Sequence, residues 1–323
     1  MIGSAFLRAA VNGLLLGEEM TKRGAGKYPV LLGLCALFMT SNAEANNKRV
    51  LQLGTFNIRW FGSAEHDRTY QFPSTKSERV GAVKDFLDKE VFPLDVVSFE
   101  EIVDLKALRM VLPRGWTCAT YLHPNPLHQK VAVCASGEFH LAPVPYDNDG
   151  LINELAYYDA DRARPAVRVD VVEKKTGLRL VRVVAVHLKS APHFALLRLK
   201  QVGMIARDLQ HEPYVPTVVM GDFNTFSAKQ TGLEKDDVHL IGYQLSQSGT
   251  PFKQVPHSSH TYRQGSLRGQ FDHFYVNNLV KAVSVPQTFS VCNNKNDGPG
   301  YKNRSHYLRY VSDHCPVKMK ITL

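Results

Sequence analysis

A carboxylate and an amide lie two residues apart in Met220–Phe226, a stretch that reads MGDFNTF. The stretch begins where the apolar run Thr217–Met220 ends, a pattern that predicts a short buried strand with polar side chains at its C-terminal tip. If the strand continues, Asp222 and Asn224 project from the same face, where their oxygens can hold a hard cation or orient a phosphate. An Asx turn is the alternative, because Asp and Asn are common after strands for structural reasons alone.

Polar residues recur at the tips of the other predicted strands. They are Asn57, Glu101, His187, Asp222 with Asn224, Asp272, and Asp313 with His314. Sites are usually built on loops over a rigid sheet, so we expect these tips to meet. The set then holds three carboxylates, two Asn oxygens and two imidazoles, with a further Asp to orient one imidazole. Such a set can bind a divalent cation and transfer protons near neutral pH.

Hydrophobic periodicity predicts the elements that position these residues. Helices are predicted over Thr75–Lys89, which opens with a capping-box pattern, Leu105–Leu112 and His193–Leu209. Strands are predicted over Val50–Asn57, Asp95–Phe99, Thr117–Leu122, Val131–Ala135, Ala166–Val172, Leu178–Val186, Thr217–Met220, Gln270–Val276, Val280–Val285 and Pro316–Ile321. Gly, Asn, Ser and Pro cluster in Ser246–Ser259 and Asn293–Arg304, which predicts long surface loops.

The charge of the chain favours a polyanionic partner. Its 323 residues are 44% hydrophobic, which is enough to bury a large core, and the formal charge is +9. Residues 1–45 carry four bases and three acids, so the remainder keeps +8. An exported chain this basic suits nucleic acid or an anionic membrane, and a charge that serves solubility is the alternative.

The first 45 residues have the features of a signal peptide. Lys22, Arg23 and Lys27 precede the apolar run Val30–Met39, and Ala43–Ala45 gives a small-x-small cleavage pattern. We therefore expect residues 1–45 to be a signal peptide with an upstream extension, and residues 46–323 to be one domain. The product is expected to be secreted or periplasmic, with no stable membrane anchor after cleavage. An uncleaved anchor is the alternative.

Cysteine usage agrees with export. Cys35 lies in the predicted signal, which leaves Cys118, Cys134, Cys292 and Cys315. An even number in an exported chain favours disulfides, and Cys118 and Cys134 are equally distant from Pro126 in a predicted hairpin loop, so they can face each other. Four reduced, buried cysteines are the alternative. The partner of Cys292 stays open.

Six motifs in one order resemble a known superfamily. They are Phe56-Asn57, Glu100-Glu101, His187–Ser190, Gly221–Asn224, Phe271–Val276 and Ser312–His314. Their order and strand-end placement resemble the endonuclease/exonuclease/phosphatase superfamily, and within it the deoxyribonuclease I-like branch of exported nucleases. The resemblance covers Val50 to Leu323. It implies an α+β fold of four α/β/β/α layers, in which two mixed sheets pack together and helices flank them, with the site at one end.

The resemblance implies a metal site. Asn57, Glu101 and Asp313 would hold Mg²⁺, with Mn²⁺ as an alternative and a structural Ca²⁺ as a further one. Glu101 matches the ligand better than Glu100, because the family usually has Gln-Glu and its second residue binds the metal. A hard divalent ion supplies Lewis-acid charge to a phosphate without redox chemistry.

The resemblance also implies roles around the phosphate. Asp222 and Asn224 would orient the attacking water and the scissile group. Arg164 in the RARP stretch would contact the phosphate through its planar fork, although Arg162 can equally do so.

Two imidazoles are implied to move protons or stabilise charge. His314 would act as general base or contact the phosphate, held in one tautomer by Asp272. His187 would protonate the leaving oxygen or stabilise the transition state. Pancreatic-type deoxyribonucleases pair a Glu with the His that matches His187, whereas this chain has Gln129 there. That departure leaves the acid role of His187 open.

The sequence therefore predicts an exported, metal-dependent endonuclease that cleaves phosphodiesters, without sequence specificity and with DNA favoured, acting as a monomer. A sphingomyelinase-like phosphodiesterase or another phosphoesterase of the same fold is one alternative, since Trp60-Phe61 or Tyr301–Tyr310 could form the membrane-binding surface of a sphingomyelinase. A secreted effector that only binds a partner is another, although binding alone does not require two imidazoles and three carboxylates at strand tips. DNA or RNA, strand preference and the metal used in the cell are left open.

Overall fold

The computed structural model describes residues 49–62, 76–121, 128–143, 164–264, 266–282, 284–292 and 304–323. The described residues belong to one compact unit, residues 48–323. The predicted signal peptide lies outside them. No helix within these ranges is long and apolar enough to cross a bilayer.

Fifteen strands and six α-helices are present in the described ranges. The strands are β1 (Val50–Phe61), β2 (Val96–Ile102), β3 (Thr117–Thr120), β4 (Lys130–Ala135), β5 (Phe139–Pro143), β6 (Val167–Glu173), β7 (Arg179–His187), β8 (Thr217–Asp222), β9 (Phe252–Gln254), β10 (Tyr262–Gln264), β11 (Leu267–Gly269), β12 (Asp272–Asn277), β13 (Lys281–Ala282), β14 (Gln287–Thr288) and β15 (Val317–Thr322). The helices are α1 (Lys76–Phe86), α2 (Leu105–Val111), α3 (Ala195–Leu209), α4 (Ala228–Thr231), α5 (Asp237–Ser246) and α6 (Arg304–Tyr310). A π-helical turn, Leu87–Val91, continues α1.

Two mixed sheets and a separate hairpin account for these strands. The first sheet has the order β13-β15-β1-β2-β4-β3, with β14 also paired to β15. The second has the order β5-β6-β7-β8-β12-β9, and β10 and β11 form a separate two-stranded hairpin. Strands β1 and β2 are parallel, as are β7 and β8, whereas the other pairs are antiparallel. This architecture confirms the predicted sandwich.

Each sheet is buried on both faces, which explains the continuous apolar runs in the sequence. In β7, Val183 faces the core between the sheets, while its neighbour Val184 faces the helices over the second sheet. Helices α3 and α5 cover that outer face through Val202 and Ile241. On the other side, α1, α2 and α6 cover the first sheet. The order of layers is therefore helix, sheet, sheet, helix.

Both pairs of cysteines in the domain form disulfides. Cys118 and Cys134 lie directly opposite each other on β3 and β4, with 4.0 Å between their Cα atoms. Cys292 pairs with Cys315, which precedes β15. The first pairing is the one that the hairpin predicts, and the second settles a partner that the sequence left open.

The structure contains elements that the sequence pattern did not predict, among them the short strands β5, β10, β11 and β14 and the short helices α4 and α6. Helix α5 was not predicted, and β9 lies within the stretch predicted as the loop Ser246–Ser259. The strand predicted over Val280–Val285 is only the two-residue β13 in the described residues. The helix predicted from Thr75 begins at Lys76, since Thr75 lies outside the described ranges.

Candidate active site

The polar tips of both sheets meet at one end of the sandwich. In the second sheet, His187 at the end of β7 and Asp272 at the start of β12 both stand opposite Asp222 at the end of β8. The amide of Asn57, on β1 of the first sheet, donates to Asp222 Oδ2 at 3.0 Å. Asp272 thus begins its strand rather than ending it. It still reaches the site because antiparallel pairing places its start beside the end of β8.

Asp222 and Asn224 are brought together by a turn and not by a continuing strand. Strand β8 ends at Asp222, whose Oδ1 accepts the backbone N–H of Asn224 at 2.9 Å. Asn224 has φ +49°, and its amide donates to the carbonyl of Leu188 at 3.1 Å. The Asx turn is therefore present, and it holds both side chains in the candidate site.

Glycine is required immediately before Asp222. Gly221 has φ +139°, and a Cβ there would lie 2.1 Å from the carbonyl oxygen of Val186 on β7. The backbones of β7 and β8 approach so closely that only glycine fits. Asp222 is thereby set directly beside His187.

Unusual backbone conformations concentrate around the site. Arg59, Trp60, Glu101 and Asn224 all have positive φ without being glycine. Such conformations cost about 1–3 kcal/mol each and persist only where the surrounding structure enforces them. Their clustering supports a functional interpretation of this end of the sandwich.

The centre of the site is a cluster of two imidazoles and their neighbouring carboxylates. Asp272 Oδ2 lies 2.9 Å from His314 Nδ1, and His314 Nε2 lies 3.7 Å from Asp222 Oδ2. His187 Nε2 approaches the same Asp222 oxygen at 3.4 Å and Glu101 Oε1 at 3.8 Å. Two imidazoles thus converge on one carboxylate oxygen from opposite sequence regions.

Burial and neighbouring charges perturb these groups strongly. Burial raises the pKa of Asp222 to about 7, and Asp272 adds to the rise. Burial alone would lower the pKa of His314, but the carboxylates of Asp272 and Asp222 outweigh it and raise that pKa to about 10. Burial lowers the pKa of His187 well below its usual value, with Arg164 acting in the same direction. His314 is therefore the charged imidazole at neutral pH, and His187 is the neutral one.

The other acidic residues line the edge of this centre. Asn57 Nδ2 donates to Glu101 Oε1 at 3.2 Å, and Glu101 Oε2 accepts the N–H of Trp60 at 3.0 Å. Asp313 forms an ion pair with Arg59, whose Nε lies 3.3 Å from Asp313 Oδ2. Glu101 is partly exposed, whereas Asp313 is largely buried. The carboxylate of Glu101 is therefore accessible to a cation or a phosphate.

The family model that matches the sequence is that of the Endonuclease/Exonuclease/phosphatase family, and the match covers residues 54–314. The chain belongs to this family. No curated protein sequence matches it closely enough to count as a relative.

Solved structures share the fold at low identity. D. rerio TDP2 complexed with a single-strand DNA product is 13% identical, covers 84% of this chain and 98% of its own, and has a TM-score of 0.54. ANGEL2, a 2′,3′-cyclic phosphatase, is 15% identical over 86% of this chain and 97% of its own, with a TM-score of 0.55. A Bacteroides thetaiotaomicron mannosyl-6-phosphatase is 15% identical over 84% of this chain and 100% of its own, with a TM-score of 0.54. At these identities the likeness concerns the fold alone.

Within this family site, Gln129 connects two predicted residues. Its amide nitrogen donates to Glu101 Oε2 at 2.5 Å, and its oxygen accepts from Arg164 Nε at 2.8 Å. Gln129 therefore does not contact His187, whose Nδ1 is buried without a hydrogen-bond partner in the described part of the chain. Arg164 lies beside the site through this contact with Gln129, and Arg162 lies outside the described ranges.

Glu100 takes a different position from its neighbour Glu101. It is fully buried and accepts hydrogen bonds from the hydroxyls of Ser98 at 2.7 Å and Thr55 at 3.1 Å. Burial, with Asp272 second, raises the pKa of Glu100 well above its usual value. Glu101 is thus the carboxylate at the accessible edge.

Arg79 on α1 stabilises the backbone around the site, a role that no sequence motif indicates. Its buried guanidinium donates to the carbonyls of Ile58 at 2.7 Å, Trp60 at 3.3 Å and Val311 at 3.3 Å. These carbonyls follow Asn57 on β1 and precede Asp313 in sequence. One side chain of α1 therefore ties together both segments that carry the predicted metal ligands.

Proposed function

We propose that the protein is an exported, metal-dependent endonuclease that hydrolyses phosphodiester bonds of nucleic acid without sequence specificity, DNA foremost. The observation that carries the proposal is the convergence of His187 and His314 on one oxygen of Asp222. Phosphodiester hydrolysis needs an oriented water, charge stabilisation at the phosphoryl oxygens and a hydrogen-bond donor to the leaving oxygen, which takes its proton from solvent. The site offers a group for each requirement.

Asp222 is the residue that orients and deprotonates the attacking water. It stands at the centre of the site, and Asn57 and the backbone of Asn224 fix both of its oxygens. The side-chain nitrogen of Asn224 donates to the carbonyl of Leu188, so the side-chain oxygen of Asn224 is left to orient the water or the scissile group. A general base is most effective when its pKa lies near the working pH, and the perturbed carboxyl of Asp222 meets that condition.

His314 serves as a phosphate-contacting cation more readily than as the base. Nδ1–H donates to Asp272 Oδ2, and because the carboxylates raise the pKa of His314 to about 10, Nε2 also carries a proton toward the substrate at neutral pH. A positioned charge of this kind stabilises the negative charge that develops on the phosphoryl oxygens. His187 lacks a carboxylate on Nδ1, so its contribution is a neutral hydrogen bond from Nε2 rather than transfer from an imidazolium.

Oxygen atoms beside the central cluster fit a hard divalent cation. Among the described residues, ligand atoms of Asp222, Asp272 and His314 also lie within 4.8 Å of one another. His314 is engaged by Asp272 and positively charged, so this cluster suits proton chemistry better than metal binding. Glu101 and Asp313, with Asn57, offer the oxygen ligands that Mg²⁺ prefers. A Mg²⁺ held there supplies Lewis-acid charge to the phosphate.

Nucleic acid is favoured as the substrate because the chain is basic and its site is bordered by arginines. The formal charge is +9, and Arg59 and Arg164 lie beside the central carboxylates. D. rerio TDP2, which has the same fold, is complexed with a single-strand DNA product. The sphingomyelinase alternative loses support at one of its two candidate surfaces. Phe61 is fully buried and Trp60 is half-buried, so this pair does not form an exposed apolar surface that could bind a membrane. The two disulfides support export.

The test is cleavage of supercoiled plasmid by the chain from Asn46 onward, with Mg²⁺ and with chelator. A parallel sample contains sphingomyelin vesicles. The expected result is metal-dependent nicking that His314→Ala removes and that His211→Ala retains, since His211 is an exposed residue just after α3. Intact plasmid beside released phosphocholine would move the enzyme to the lipid branch. Neither product would favour a protein that only binds a partner.

A further inference from the structure

A cavity of about 360 Å³ adjoins the active site and is not used by the mechanism above. It lies between α4 with its preceding loop on one side and the hairpin β10–β11 on the other. Its walls include Phe226, Phe271, Tyr262, Val238, His260 and Arg268. The volume is in the lower part of the range for small-ligand pockets, ~300–1,000 Å³. The aromatic walls and polar rim are the composition of a binding site for a flat, partly polar group.

A row of rings connects this cavity to the reacting centre. The centroids of Phe226 and Phe271 are 5.3 Å apart, and those of Phe271 and Tyr262 are 4.9 Å apart with an angle of only 30° between the planes. Tyr262 in turn lies 5.0 Å from the ring of His314. A group in the cavity is therefore separated from the imidazole of His314 by one or two aromatic rings. A nucleotide whose phosphate contacts His314 can place its base at that distance.

The aromatic walls are held rigidly. Buried Arg198 lies 5.1 Å from the ring centroid of Phe226, and the Phe226 backbone N–H donates to Asp237 at 3.1 Å. The Phe271 ring rests over Gly269, where a Cβ would approach its ring carbons to 2.6 Å. A wall that is ordered before binding loses little entropy when a ligand stacks on it.

The hairpin β10–β11 adds positive charge and is fixed to the catalytic loop. Arg263 and Arg268 face each other across the two strands, an arrangement that is destabilising in isolation. The N–H of Arg263 donates to the carbonyl of Asp313 at 2.8 Å, and Tyr262 forms a β-bridge with His314. Exposed Arg268 lines the cavity itself. The guanidinium of Arg263 donates to the carbonyl of Val291 at 2.8 Å, so Arg268 is the arginine at the cavity, and an arginine beside aromatic rings suits a nucleotide's phosphate and base together.

We propose that this cavity binds the base of the nucleotide next to the scissile phosphate, by stacking against Phe226 and Phe271, while Arg268 contacts the flanking phosphate. The inference rests on the proposed nuclease function and names the part of the substrate that its site recognises. Stacking tolerates every base because each has a π face, so the cavity provides affinity without sequence specificity.

The experiment compares small phosphodiesters with and without a base. Thymidine 5′-(4-nitrophenyl phosphate) and thymidine 3′-(4-nitrophenyl phosphate) cover a base on either side of the phosphorus, and methyl 4-nitrophenyl phosphate has none. The readout is the ratio of kcat/KM for the better thymidine ester to that for the methyl ester. In Phe226→Ala this ratio should fall about 5- to 150-fold, which corresponds to the ~1–3 kcal/mol of one stacked base.

Two further variants keep the test decisive. Phe226→Leu retains apolar bulk without a π face and should show an intermediate ratio, which guards against misfolding of the alanine variant. Tyr214→Ala removes an aromatic ring that is 87% exposed and lies before β8, at the end of that strand opposite Asp222, and should keep the wild-type ratio. A 2-aminopurine oligonucleotide bound to His314→Ala protein gives a readout without turnover, because stacking quenches its fluorescence. That quenching should diminish when Phe226→Ala is added.

The failures of the two proposals are distinguishable. Hydrolysis of the methyl ester with an unchanged ratio in both Phe226 variants would overturn the base-binding cavity and leave the phosphodiesterase intact. Failure of the wild-type protein to hydrolyse any of the esters or plasmid DNA would overturn the nuclease itself, and the cavity assignment with it.

Discussion

His273 is predicted to make the fold acid-labile, because its hydrogen bonds accept only the neutral imidazole. It is 1% exposed on β12, and its Nδ1 lies 2.9 Å from Gln254 Nε2, an amide donor. Nδ1 is therefore an acceptor, and Nε2 carries the proton toward Thr225 Oγ1 at 2.8 Å. The hydroxyl of Thr225 donates its own hydrogen bond to the carbonyl of Gln270 at 2.6 Å, so its oxygen is free to accept from His273. A second ring proton would face the donor of Gln254 without an acceptor.

The size of the stability loss on acidification follows from the lowered pKa of His273. Burial, with positive charge from His257 second, lowers the pKa of His273 to about 3, against 6.5 in its unperturbed state. A depressed folded-state pKa gives stability that is fully present above pH 6.5 and is lost as pH falls toward 3. At ~1.4 kcal/mol per unit, the loss from this residue is about 2 kcal/mol at pH 5 and at most roughly 5 kcal/mol below pH 3.

The assay is urea unfolding between pH 7.5 and pH 5 for the wild type, His273→Gln and the control His211→Gln, which changes an exposed histidine. His273→Gln is expected to be less stable at pH 7.5 but to lose about 2 kcal/mol less on acidification. His211→Gln should follow the wild type. Parallel stability curves for wild type and His273→Gln would refute the reasoning, because they would show that His273 binds the same number of protons folded and unfolded.

Three other predictions test the site, the surface and the covalent frame. Chelation should abolish cleavage, and Mg²⁺ or Mn²⁺ should restore it; undiminished turnover after exhaustive chelation contradicts the metal site. Binding of DNA should weaken steeply between 50 and 200 mM salt, by about 10³-fold or more if six phosphates are contacted, as measured by filter binding. Replacing Cys118 and Cys134 together by Ala should cost about 3 kcal/mol for a loop of this size, 16 residues, and a smaller loss than 1 kcal/mol in urea unfolding would argue against that bridge.

The sequence predicted the strands well where an apolar run ends abruptly at a polar residue. Strand β8 and the second half of β7 are mostly apolar because both faces of the sheet are covered there, and each strand ends at a polar residue. Helix α5 was missed although Val238, Ile241 and Leu245 have helical spacing, because Gly242 and the neighbouring loop residues weaken the pattern. Its buried Asp237, paired with Arg198, shows that an acidic residue in that pattern can face inward.

The positions of the candidate site residues were predictable, but their contacts were not. Strand tips identify Asp222 and Asp272, whereas only the register reveals that one ends a strand and the other begins one. Gln129 could be identified as a departure from the family pattern, but its contacts with Glu101 and Arg164 depend on how the strands pack. Arg59 and Tyr262 had no signal at all, since arginine and tyrosine near a loop are usually surface residues.

Arg79 shows why motif residues alone do not specify this site. Asn57 and Asp313 are 256 positions apart, and each belongs to a segment whose backbone the sheets do not fully constrain. The guanidinium of Arg79 binds carbonyls in both segments, including those of Ile58 and Val311. A planar group with five donors can satisfy several carbonyls at once, whereas lysine, a point charge, cannot reproduce that geometry. Arg79 on α1 therefore stabilises the strained backbone that follows Asn57. The motif residues Asn57 and Asp313 are held in place only because this side chain binds both segments.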